Sequence, residues 1–170
     1  MVLDKKKAFY AFAAFFLSLF LLFSAQQLFN RFVAFNPLIK TFSQKEYVKE
    51  VNIKKEAGKI NLEICLKDVD NLAGVYYDIQ DTASDILKGR PFTVKIINKP
   101  SELLENIYTQ KVQFVIFEGI KTGKFTEMRA KLDQLETEYK IDIGVFLDNE
   151  NLYLKIKSDH DVLYKIINMK

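Results

Sequence analysis

VNIKKEAGKINLEICL, residues 51–66, is the stretch on which the fold turns. Val51 and Ile53, then Ile60, Leu62, Ile64 and Leu66, alternate with polar residues on either side of Glu56-Ala57-Gly58. Period-two alternation broken by a glycine turn specifies a β-hairpin with one apolar face, and that face needs a cover. The cover follows directly. Leu72, Val75, Tyr76, Ile79, Ala83, Ile86 and Leu87 recur at helical spacing between Asp70, a suitable N-cap, and Gly89, a suitable stop. Phe92, Val94 and Ile96 then alternate as a strand that ends at Asn98-Lys99-Pro100, so the first half reads ββαβ.

Toward the C-terminus, residues 101–121 fit two readings. Leu103, Leu104, Ile107, Tyr108, Val112 and Val115 have helical spacing, whereas Phe114 to Phe117 also fits a buried strand. The helical reading is preferred, with Gly123 as a left-handed cap. A second helix then carries Phe125, Met128, Leu132, Leu135 and Tyr139. Ile141, Ile143, Val145 and Leu147, then Leu152, Leu154 and Ile156, flank a turn at Asp148 to Asn151, and a short closing helix is expected from about Asp161 to Ile167. Hairpin followed by helix thus occurs twice, near 47–88 and near 140–168, without evident residue similarity. The expected class is α+β, one small domain over 46–170 with about five mainly antiparallel strands and helices packed on one face, in the order ββαβααββα.

Toward the N-terminus the composition changes. Residues 8–25, AFYAFAAFFLSLFLLFSA, carry no charge, and nine of the fifteen Phe fall within 9–35. Such a run has the length and apolarity of a transmembrane helix, expected over 8–29 as a signal anchor and followed by a linker over 30–45 that contains Pro37. Cuts after Ala25 or Ser24 would place Phe23 or Leu22 at the −3 position, which does not suit signal-peptide cleavage. Lys5, Lys6 and Lys7 precede the run, so the positive-inside rule puts residues 1–7 in the cytoplasm and the domain outside a cell membrane.

Charge excludes one class of partner. The net charge of +3 lies within residues 1–31, where Lys5, Lys6, Lys7 and Arg31 face Asp4 alone, and the remainder holds 21 basic and 21 acidic side chains. A neutral domain lacks the positive field that attracts a phosphate backbone, so nucleic acid is not an expected partner. The basic excess of Lys40, Lys45, Lys49, Lys54, Lys55 and Lys59 over Glu46, Glu50 and Glu56 reads as solvated lysines on linker and hairpin.

Nothing in the sequence assembles a reactive centre. Cys65 is the sole cysteine, which excludes an internal disulfide and a thiolate cluster, and it falls on the polar side of its strand with Asn61 and Glu63. His160 is the sole histidine, in a polar turn. Asp78, Asp81 and Asp85 form a row on one helix face that reads as its solvated side, since a calcium loop needs ligands converging on one point. Gly119-Ile120-Lys121-Thr122-Gly123-Lys124 lacks the Ser or Thr after lysine that a phosphate loop requires. A hydrolase or transferase would work through carboxylates such as Asp142 and Glu118, and nothing in the sequence positions those two together. No catalytic, cofactor-binding or metal-binding residue is therefore assigned, and no cofactor is expected.

Two functional readings remain. In the first, the domain makes protein–protein contacts with other envelope proteins, in an assembly or as an accessory factor beside the lipid bilayer. In the second, a small molecule sits between sheet and helices, in a pocket lined by Tyr76, Tyr77 and Tyr108. A partner surface calls for exposed apolar side chains or an open sheet edge, whereas a ligand domain calls for a cavity.

Overall fold

A computed structural model describes residues 5–30, 35–56, 58–159 and 161–170, apart from the side chains of 5–8, 11 and 26–30. Helix α1, Lys5–Asn30, precedes α2, Asn36–Ser43. Then come β1, Val48–Glu56; β2, Lys59–Leu66; α3, Leu72–Leu87; and β3, Phe92–Ile97. A helical rod follows, built from α4, Glu102–Ile107, a π-helical turn, Tyr108–Val112, and α5, Gln113–Thr122. Helix α6, Phe125–Tyr139, leads into β4, Asp142–Leu147; β5, Asn151–Lys157; and β6, Val162–Asn168.

The expected anchor over 8–29 is overturned, because among the described residues no helix is long and apolar enough to cross a membrane. The single-pass placement on a cell membrane, with an extracytoplasmic domain, is corrected with it. Within α1 the described Phe and Leu side chains are exposed, Phe20 and Leu22 by 67% and 69%.

The fold class remains α+β, but among the described residues with six strands in two sheets instead of about five in one. Sheet one has the order β1-β2-β3, with the expected hairpin antiparallel and β3 parallel to β2 across α3. Sheet two is the antiparallel meander β4-β5-β6. The closing helix expected over 161–167 is thus corrected to strand β6. Val162, Leu163, Ile166 and Ile167 are spaced as on a helix because β6 is covered on both faces, which removes the alternation of a half-buried strand.

Two cores result. Alternation in β2 buries Ile60, Leu62, Ile64 and Leu66 against Leu72, Ala73, Ile79, Ala83 and Leu87 of α3, and Tyr153 and Tyr164 of sheet two join this core from the other side. Helix α2 completes it with Leu38 and Phe42, both 0% exposed, so residues 36–43 of the expected linker belong to the folded domain. The second core packs Leu104, Ile107, Val112, Ile116, Met128 and Leu132 of the helices on Ile143, Leu152, Leu154, Ile156 and Leu163. Helices therefore lie on a face of each sheet and not on one face of a single sheet.

Helix ends follow side-chain chemistry. Asn71, one residue beyond the expected Asp70, caps α3 by accepting the Gly74 N–H at 2.9 Å. Gly123, at φ +69°, closes α5 in the left-handed conformation expected of it. Stretch 101–121, open in the sequence, is helical from Glu102 to Thr122. Its hairpin with α6 is tight because Gly119 lies against Met128.

Tyr164 joins the two sheets. Its phenol oxygen accepts the Val69 N–H at 2.7 Å and donates to the Lys67 carbonyl at 3.1 Å, so it fixes the loop that leads into α3. Its own backbone is held by the Asn98 side chain, which donates to the Tyr164 carbonyl at 2.7 Å and accepts the Tyr164 N–H at 2.9 Å. Lys155 of β5 adds ion pairs to Asp68 and Asp70 of the same loop at 2.7 and 3.2 Å.

Two substitutions test this packing. Tyr164→Phe leaves the buried Val69 N–H without its acceptor and is expected to lower unfolding free energy by about 1–3 kcal/mol in urea titrations. Gly119→Ala places a methyl group 2.9 Å from Met128 Cβ and is expected to cost ~1–3 kcal/mol through overpacking, read as a lower thermal midpoint.

Candidate interaction surfaces

Exposed positions of the rod α4–α5 include Leu103, Asn106 and Gln110 before or within the π-helical turn and Phe114, Phe117 and Lys121 after it. Their inward counterparts Leu104, Ile107, Val112 and Ile116 fill the second core. Leu103 is 61%, Phe114 63% and Phe117 47% exposed, and Phe125 opens α6 directly after the Gly123 turn at 37%. Among described residues from 36 onward, only Ile39, Tyr77 and Phe146 are further large apolar side chains in that exposed class. More than half of the exposed bulk thus sits on one helical hairpin.

Sheet edges are the second kind of surface. The outer edge of β1 carries Lys49, Lys54 and Lys55, charges that discourage edge pairing. At the β4 edge, Glu136 of α6 accepts the Ile143 N–H and Arg129 donates to the Ile143 carbonyl, both at 2.6 Å. Arg129 is itself fixed by Asp133 and Glu136. Between β3 and β6, by contrast, lies a cleft of about 710 Å³ lined by Tyr76, Val94 to Asn98 and Tyr164 to Ile166, among others. Asn98 closes one end of it.

Residues singled out in the sequence do not converge. Cys65 is a half-buried free thiol on the outer side of β2, opposite Glu50 and Ile97. Its polar neighbour Glu63 pairs with Lys54 at 2.9 Å. His160 lies outside the described residues. The acidic row on α3 is broken. Asp78 is half-buried, pairs with Lys45 at 2.9 Å and accepts from the Tyr47 phenol, while Asp81 and Asp85 are exposed. Hydrogen bonds from Lys45 and Tyr47 hold the Asp78 carboxyl below its ordinary value. No group of acidic, His or Cys side chains among the described residues is arranged to hold a metal. Glu118 pairs with Lys131 on the helical hairpin, whereas Asp142 opens β4.

The three tyrosines of the ligand reading are separated. Tyr76 and Tyr77 lie against the Tyr153 ring, with centroids 5.7 and 5.9 Å away, while Tyr108 sits under Lys165 Nζ at 4.7 Å. Tyr77 and Tyr153 both donate to Asp148, which also accepts the Glu150 and Asn151 N–H groups at 2.6 Å each. The turn aspartate expected from hairpin chemistry thereby also binds α3 to sheet two. These donors hold its carboxyl well below the ordinary range, the Tyr77 phenol first among them.

Sequence reasoning passed over Asn98, Tyr164 and the Arg129–Glu136 pair, each of which acts on backbone groups distant in the chain. Only the position of Asn98, a polar amide at the end of a strand beside Pro100, gave any signal.

Buried phenols give this arrangement a pH dependence. Burial, then hydrogen bonding, pushes Tyr47 and Tyr153 well above the ordinary 10.0, and burial raises Tyr164. A phenol that ionises near pH 10 when unfolded but stays neutral when folded contributes fully below that pH, and its contribution is lost as pH rises toward the folded value. Stability is expected to decline above pH 10 in urea titrations, with a shallower decline in Tyr153→Phe. Comparison with protein-family models, with curated proteins and with solved structures gives no match to this chain.

Proposed function

We propose that this chain acts without catalysis, as a domain that makes contacts with another protein through the outer face of its helical hairpin. One observation carries the reading: Phe114 and Phe117, one turn apart on α5, are exposed together with Leu103 on α4 and Phe125 at the adjoining turn. An aromatic side chain offers about 150–250 Å². Three such groups about half uncovered, with Leu103 beside them, approach the few hundred Å² of the largest apolar patch on a typical monomer, and such patches are often functional. Aromatic anchors on a rigid helix suit partner recognition, since little side-chain entropy is lost when they are covered. The small-molecule reading loses support, because Tyr76, Tyr77 and Tyr108 serve three different local contacts.

The test separates recognition from folding. A photo-reactive phenylalanine analogue at Phe114 is expected to give a discrete adduct with a second protein in cells of the source organism, and the same analogue at Asp81 is not. The double substitution Phe114→Ser and Phe117→Ser should abolish copurification of that protein and shift stability by no more than about 0.5 kcal/mol. Adducts of equal pattern at both positions, or a partner retained by the double variant, would sink the proposal.

A further inference from the structure

We infer that the cleft between β3 and β6 receives an extended, uncharged polypeptide segment, which pairs through its backbone with the β3 edge. The direction of each backbone group follows from the pairing. Ile60 donates its N–H to the Pro91 carbonyl at 3.1 Å, and Ile60 is the register partner of Phe92. In a parallel ladder the bonds to β2 then fall on 91, 93, 95 and 97, and the N–H and C=O of Phe92, Val94 and Ile96 face away from β2. On β6, Tyr164 turns its N–H and C=O from β5 toward Asn98, and Ile166, two residues on, turns the same way.

Both rims of the cleft therefore present strand backbone. At the closed end, the side-chain amide of Asn98 binds the N–H and C=O of Tyr164 as a peptide group would. Beyond it the outward groups of Val94, Ile96 and Ile166 have no hydrogen-bond partner among the described residues. The two outermost edges are treated differently, β1 by lysines and β4 by Arg129 and Glu136. A donor–acceptor row at ~3.3 Å per residue is complementary to one ligand geometry, an extended chain. Side chains around the cleft refine the choice. Tyr76, Val94, Ile96 and Ile166 supply an apolar lining, while Lys95, Lys165 and Glu105 at the rim carry both signs, with Lys165 and Glu105 paired to each other at 3.2 Å. Neither an acidic nor a basic segment is selected, and recognition rests on the backbone.

The probe is an acetylated, amidated hexapeptide of alternating valine and threonine, titrated into the ¹⁵N-labelled full chain. Resonance shifts are expected at Val94, Ile96 and Ile166, with amide exchange at Val94 and Ile96 slowed at least about tenfold. The same peptide methylated on every amide nitrogen should leave both readouts unchanged. Ile96→Pro removes an outward N–H and no bond to β2, as edge strands tolerate, so it should fold and bind the unmethylated peptide about tenfold more weakly. Unchanged exchange at saturating peptide, equal effects of the two peptides, or shifts centred on Phe114 and Phe117 would each overturn the inference. Because the helical hairpin is not involved, failure here leaves the proposed function untouched, and the converse holds.

Discussion

One tyrosine, by its side chain and its backbone, is the hub at which the two halves of this domain meet. Tyr164 reaches across to the loop over 67–69 with its phenol, while Asn98 reaches back to grip the Tyr164 peptide groups. Neither three-stranded sheet pairs directly with the other. The joint is therefore made of side-chain hydrogen bonds, and at the buried one from the Val69 N–H a lost partner costs more than a made bond contributes. Tyr164 and Tyr153 carry sheet two into the first core, Tyr153 through its own ring contacts with α3.

Around the joint, polarity is distributed by layer. Sheet two is apolar toward the helices through Leu152, Leu154 and Ile156, while its other face sets Tyr153 beside Lys155 and Lys157, which pair with Asp68. Where it meets α3, contacts are made by phenols and acids, so the interlayer is specified by hydrogen bonds as well as by shape. Sheet one has one polar face, with Asn52, Lys54 and Glu63 joined side chain to side chain. Ion pairs on that face are exposed enough to contribute little to stability, about 0–1 kcal/mol each, and they favour solubility and edge protection over cohesion.

Much of this was readable from residue order. The hairpin over 51–66, helix α3 and the Gly123 turn are local in origin, each set by a period or a backbone angle within a few residues. Strand β6 was not, because its apolar residues serve two cores and lose the period that would mark a strand. Helix α2 was obscured by Pro37, which sits at its first turn, where proline is at home, and not in a linker. The apolar run near the N-terminus has the composition of a spanning segment, and composition alone did not fix its role. For the interaction surfaces, exposure of Phe114 and Phe117 depends on which way the rod faces. An open edge at β3 depends on what β6 leaves uncovered. Both are tertiary facts.

The π-helical turn over 108–112 sets that facing. Ile107 and Val112 are five residues apart, and both are buried. On an uninterrupted α-helix such a pair diverges by ~140°, at 3.6 residues per turn. The wider turn, closed by the Gln113 N–H on the Tyr108 carbonyl, absorbs the extra residue and brings the second half of the rod back into phase with the first. Chain length at this turn thus acts as an angular setting. Adding or removing a single residue there rotates everything beyond it by about 100°, exchanging the phenylalanines for the core positions. The rod's outer face has accordingly been tied to its core by count, and the two can drift in evolution only together.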